Sequence, residues 1–116
     1  MVKLPAPGLV ELVEHGKADS AEAEALLYPL LHPHEGKLDA VVLGCTHYPF
    51  AKNVIQKLLG ENTLLLDGGE GTARETKRRL EAAGLLRRGT GEVIFENSSG
   101  TADMADLCKK LLEGTV

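Results

Sequence analysis

Apolar residues along the chain fall into two rhythms, one helical and one continuous. In "LVELVEHG", Leu9, Val10, Leu12 and Val13 suit one face of a short helix that Gly16 ends. A second helix opens at Asp19, with Glu22 three residues on in a capping-box arrangement, and carries Leu26, Leu27, Leu30 and Leu31 at helical spacing. Pro29 should kink or shorten it. Upstream, Val2 to Leu4 reads as a short strand closed by "PAPG".

The run "LDAVVLG", residues 38–44, does not alternate, which predicts a strand covered on both faces in the middle of a parallel sheet. Pro49 suits the first turn of a following helix through Ala51, Val54, Ile55, Leu58 and Leu59, which Gly60 stops. The unit then repeats. "NTLLLD" reads as a second strand, "GGEGTARETKRRLEAAG" as a glycine-rich turn and a helix stopped at Gly84, and "GEVIFEN" as a third strand. From about Thr101 to Glu113 a last helix gathers Met104, Leu107, Cys108, Leu111 and Leu112 on one face. Alternating strands and helices predict an α/β fold, a parallel sheet with flanking helices.

Length and composition narrow the classes. A chain of 116 residues fits one small α/β unit, 1–116. Net charge is −4, and Tyr28, Tyr48, Phe50 and Phe95 are the only aromatics, so neither phosphate attraction nor a base-stacking platform points to nucleic acid. No apolar run approaches the roughly 20 residues of a membrane span, and the N-terminus lacks signal-peptide regions, so the expected location is cytoplasmic. Cys45 and Cys108 stand far apart, outside any metal spacing.

The chemistry concentrates where the first strand ends. In open α/β sheets the site lies beyond the carboxyl ends of the strands, which is where Cys45, His47, Asp67 and Gly68 fall. A helix N-terminus and an imidazole both favour a thiolate, the reactive form of cysteine. The competing reading of Cys45 is tight apolar packing, since cysteine is among the most buried residue types. Cys108, on an apolar helix face, is expected in the core. His32 and His34 read as a solvated loop without a third metal ligand, and "GGEGTA" as a plain turn that lacks the Walker lysine and the dinucleotide fingerprint. Arg74, Lys77, Arg78 and Arg79, with Glu75 and Glu81, read as a solvated helix face.

The stretch "LDAVVLGCTHYPF" closely resembles the second cysteine motif of bacterial glutamate racemases. "PGLVELVEHG", "LLYPLL" and "LLLDGGEGTARETKRRLEAAGLL" are similar to segments that flank that motif in the aspartate/glutamate racemase family, so nearly the whole chain resembles its C-terminal half. The resemblance implies half of a two-domain fold and a cofactor-independent racemase that interconverts L- and D-glutamate for peptidoglycan synthesis, with two thiols on opposite faces of the substrate and neither pyridoxal phosphate nor metal. It implies Cys45 as the base/acid on the L-glutamate face, His47 as its aid, Glu14 as an auxiliary carboxylate, and Thr46 and Gly44 as substrate contacts.

The family's glycine-rich Asp-Ser segment and its Ala-Cys-Asn-Thr motif, which carries the first cysteine, have no match in these residues. The chain by itself is therefore expected to be poorly active or inactive. By the same resemblance the family chain returns to its first domain near 68–72, which would leave an apolar face free for self-association. Two alternatives stay open: a relative acting on another acid such as aspartate, and a non-catalytic binding or self-assembling module that keeps the fold.

Overall fold

The computed structural model describes residues 1–114. Among these described residues, five α-helices and two strands follow in order: α1 (Leu9–Glu14), α2 (Ala21–Leu31), β1 (Ala40–Val42), α3 (Lys52–Leu59), β2 (Leu64–Leu66), α4 (Gly69–Ala82) and α5 (Asp103–Glu113). Short 3-10 turns at His32–His34 and Tyr48–Ala51 lead out of α2 and into α3. The strands pair in parallel, with Ala40 opposite Leu64 and Val42 opposite Leu66. Among the described residues, no helix is long and apolar enough to cross a membrane.

The core lies between the helices and one side of the sheet. Leu9, Leu27, Leu31, Leu43, Val54, Ile55, Leu58 and Leu59 form one buried cluster, so the apolar faces read from the sequence in α1, α2 and α3 converge. The α2–α3 pair is also held by polar links at its rim, Asp19 with Asn53 at 2.7 Å and Glu24 with Lys57 at 2.7 Å. Thr63, which is buried, donates its hydroxyl among carbonyl partners of Leu38 and Leu59, which anchors the start of β2 to the end of α3.

Several expectations need correction. The cap of α2 is Ser20, whose side chain accepts from the Ala23 N–H at 3.2 Å; Asp19 points across to α3 instead. The helix runs on through Pro29 to Leu31 and tightens to a 3-10 turn only at His32. The sheet is not covered on both faces: Val42 is 72% exposed and Leu64 58%, because the helices that could hide them lie on the other side. Val2 to Leu4 and the segment 91–97 form no strand, and Val93 and Ile94 remain exposed. A strand exists only against a neighbour, and no sheet edge meets either segment.

The last two helices stand apart from the core. Neither α4 nor α5 holds a buried residue. Cys108 is accordingly only half-buried, not a core residue, because the apolar face of α5 has little to pack against. The charged run on α4 is a solvated face as expected, with Glu75 shared by Arg78 and Arg79 and Glu70 pairing with Arg74.

Candidate active site

The β1 ladder extends one residue past Val42, where the Leu43 N–H reaches the Leu66 carbonyl at 2.7 Å. Leu43 is buried and pins the strand end to the core. The chain then leaves the sheet at Gly44 and turns through Cys45 and Thr46 into the Tyr48–Ala51 turn, where Pro49 costs no bond because the first helical N–H groups have no partner inside the helix. The Tyr48 hydroxyl reaches the Ala6 carbonyl at 3.5 Å, tying the loop to the segment before α1.

That tie explains how Glu14 arrives. α1 buries Leu9 and Val13, and its packing against the Tyr48–Ala51 turn brings its last residue to the loop. Glu14 Oε1 lies 3.2 Å from His47 Nε2, a contact between residues 33 positions apart. The other ring nitrogen, Nδ1, lies 3.1 Å from Thr46 Oγ1. The side chains are 32% and 48% exposed for His47 and Glu14, so the pair is open to water on one side.

Cys45 is half-buried, and its sulfur receives the backbone N–H of His47 at 3.5 Å. That contact fixes the sulfur at the start of the turn; the thiolate form of a cysteine is the species that can take a proton from carbon. The structure thus brings together Cys45, Thr46, His47 and Glu14. Gly44 adjoins them, and a methyl group built there would meet nothing within 4 Å.

The neighbouring strand end does different work. Asp67 pairs with Lys52 at the start of α3 and accepts the Gly69 N–H at 2.8 Å. The Lys52 hydrogen bond, then the Gly69 N–H, hold its carboxyl below the usual range. Asp67 therefore joins β2, α3 and α4. The Lys52 partner lies 15 positions away and carries no local pattern, which is why the sequence did not reveal it.

His32 stacks on Tyr28 with ring centroids 4.6 Å apart and pairs with Glu35 at 3.2 Å, so it is engaged within its own turn. The "GGEGTA" segment opens α4 as a plain helix start, with Gly69 beside the Asp67 carboxylate. A cleft between Glu14, His15 and Gly16 and the α5 residues Asp103, Met104 and Leu107 reaches Glu14 but not Cys45. The Cys45 thiol, the Thr46 hydroxyl and the His47 ring lie on the loop and do not line that cleft.

No family model matches the chain. It is 51% identical over 116 residues to the glutamate racemase of Clostridium kluyveri and 40% identical over 116 residues to that of Clostridium perfringens, in each case over 97% of this chain and 45% of the relative. Its fold is similar to the crystal structure of the Thermus thermophilus glutamate racemase in complex with β-chloro-D-alanine, with a TM-score of 0.72 and 36% identity over 89% of this chain and 41% of that one. The chain spans less than half the length of the curated relatives it matches. Sequence and backbone agree on the same conclusion: these residues are homologous to part of the glutamate racemases and share that part of their fold.

Proposed function

We propose that these residues are the part of a cytoplasmic glutamate racemase that carries one of its two proton-transferring thiols, in the service of peptidoglycan synthesis. Cys45, as thiolate, takes the α-proton of L-glutamate, and as thiol returns one to the carbanion. The opposite face is served by a cysteine outside these residues. Neither metal nor organic cofactor enters the reaction. Thr46 and Gly44 border the substrate, and His47 and Glu14 order the loop. The observation that carries the reading is the Glu14 to His47 contact, which closes a polar relay on the same turn that holds the thiol. The β-chloro-D-alanine in the Thermus relative's structure supports an amino-acid substrate.

The chain turns away from its first unit near 68–72, and beyond that point α4 and α5 pack on a further domain or on a second copy. In isolation the chain self-associates through the surface this leaves. The supporting facts are the bare sheet face at Val42 and Leu64 and the absence of buried residues in α4 and α5.

Incubation with L- and D-glutamate in deuterium oxide tests the assignment, with the α-proton signal and optical rotation followed together. Cys45-dependent exchange of L-glutamate without inversion is expected from a half-site. Loss of a positioned base costs on the order of 100- to 10,000-fold in rate, so Cys45→Ser should fall to background. Exchange that survives Cys45→Ser, or none in the parent chain, would remove the catalytic reading and leave a binding or assembly module.

A further inference from the structure

The hydrogen bonds around His47 define which group its ring serves. An ionised carboxylate can only accept, so the ring nitrogen facing Glu14, Nε2, carries a proton. In the neutral ring Nδ1 is then an acceptor, and Thr46 Oγ1, 3.1 Å away, must direct its one hydrogen there. If the ring gains a second proton, Nδ1–H donates to the same oxygen. In both states the two nitrogens are committed to Glu14 and Thr46. The contact of the Cys45 sulfur, among the described residues, is the backbone N–H of His47 and not its ring.

We infer that His47 is a positioning residue for Thr46, with Glu14 fixing its tautomer, and that the Cys45 thiol is set by the backbone amide rather than by the imidazole. The neutral ring leaves the Thr46 oxygen with outward lone pairs and no outward hydrogen. That oxygen then accepts from the α-ammonium group of an amino-acid substrate and is unsuited to its carboxylate. This last step rests on the proposed function; the tautomer and the division of labour at the thiol do not.

Long-range proton–nitrogen spectra of histidine-labelled chain should show His47 as the Nε2–H tautomer. Thr46→Val should move Nδ1 toward the value of an unbonded acceptor. The second arm is the pH profile of Cys45 alkylation by iodoacetamide, measured in a Cys108→Ser background so that one thiol reports. With His47→Asn, whose side-chain oxygen can take the place of Nδ1, and with His47→Gln, the thiolate fraction at a given pH should change less than about twofold, whereas loss of a direct ring partner would change it about tenfold or more. Circular dichroism confirms that each variant is folded before its profile is read. An Nδ1–H tautomer, or a tenfold change in both variants, would overturn the inference. Titration with L-glutamate then separates the two ideas: the expected tautomer and thiol profile without glutamate binding would sink the racemase reading while leaving the role of His47 on Thr46 standing.

Discussion

Asp67 illustrates how one residue couples folding to pH. Lys52 and the Gly69 N–H favour its ionised form in the folded chain, so its carboxyl titrates lower than in the unfolded chain. The stabilisation is complete above the unfolded carboxylate value of about 3.9 and is lost as pH falls through the lower, folded value. Glu75, drawn to about 2 by Arg78 and Arg79, responds in the same direction, so a variant is needed to isolate Asp67. Urea midpoints of the parent and of Asp67→Asn should differ above about pH 5 and converge in stronger acid. A constant gap across that range would show that the Lys52 link contributes nothing to the acid limb.

At the same scale, Cys45 shows what could be read locally. A strand end followed by a glycine, a thiol and a proline-led helix is a run of adjacent residues, and each property that places the thiol is encoded within about ten positions. The link to Glu14 depends instead on how α1 packs. Resemblance suggested Glu14; only its distance to His47 shows what it touches.

Among the elements, Gly60 is the clearest test. It ends α3 at φ 90 and ψ 158, a region essentially reserved for glycine, while a methyl group there would meet nothing within 4 Å. Gly60→Ala should therefore lose about 1–3 kcal/mol through the backbone alone, measured by urea denaturation. Gly44→Ala is the control: its backbone does not occupy positive φ and its surroundings are equally open, so its stability should change far less. Equal losses would remove the backbone explanation.

Helices were more legible than strands for a related reason. The apolar spacing of α1, α2 and α3 and the glycines that follow α1 and α3 are local, and each helix satisfies its own hydrogen bonds. The segment 91–97 has the same β-rich character as β1, yet it stays unpaired. β-propensity describes a fit to a neighbouring strand, and none is present beside it.

Over the whole molecule, surface exceeds what its mass requires. The accessible area is 8696 Å² for 12.4 kDa, against about 6,100 Å² for a compact monomer. The radius of gyration is 16.8 Å, against about 13 Å for a compact domain of this length. The difference, about 2,600 Å² on one chain, exceeds the roughly 800 Å² that each partner buries in a stable interface of standard size. Light scattering of the isolated chain should accordingly show mass rising with concentration, and Val42→Lys, placed on the bare face of β1, should shift the chain toward monomer by opposing desolvation. A single monomer mass at high concentration in the parent chain would remove the self-association reading.

The amino-acid sequence by itself determined the helical segments, the parallel α/β character and the strand-to-helix turn that holds Cys45, because these follow from periodicity, turn chemistry and backbone limits within a few residues. Tertiary structure alone decided that Glu14 meets His47, that Lys52 engages Asp67, that Ser20 rather than Asp19 caps α2, and that one sheet face and both last helices lack cover. Those outcomes depend on the packing of distant elements against one another. Burial is a property of the neighbour as much as of the residue, and an apolar pattern states only that a face should be covered, never by what.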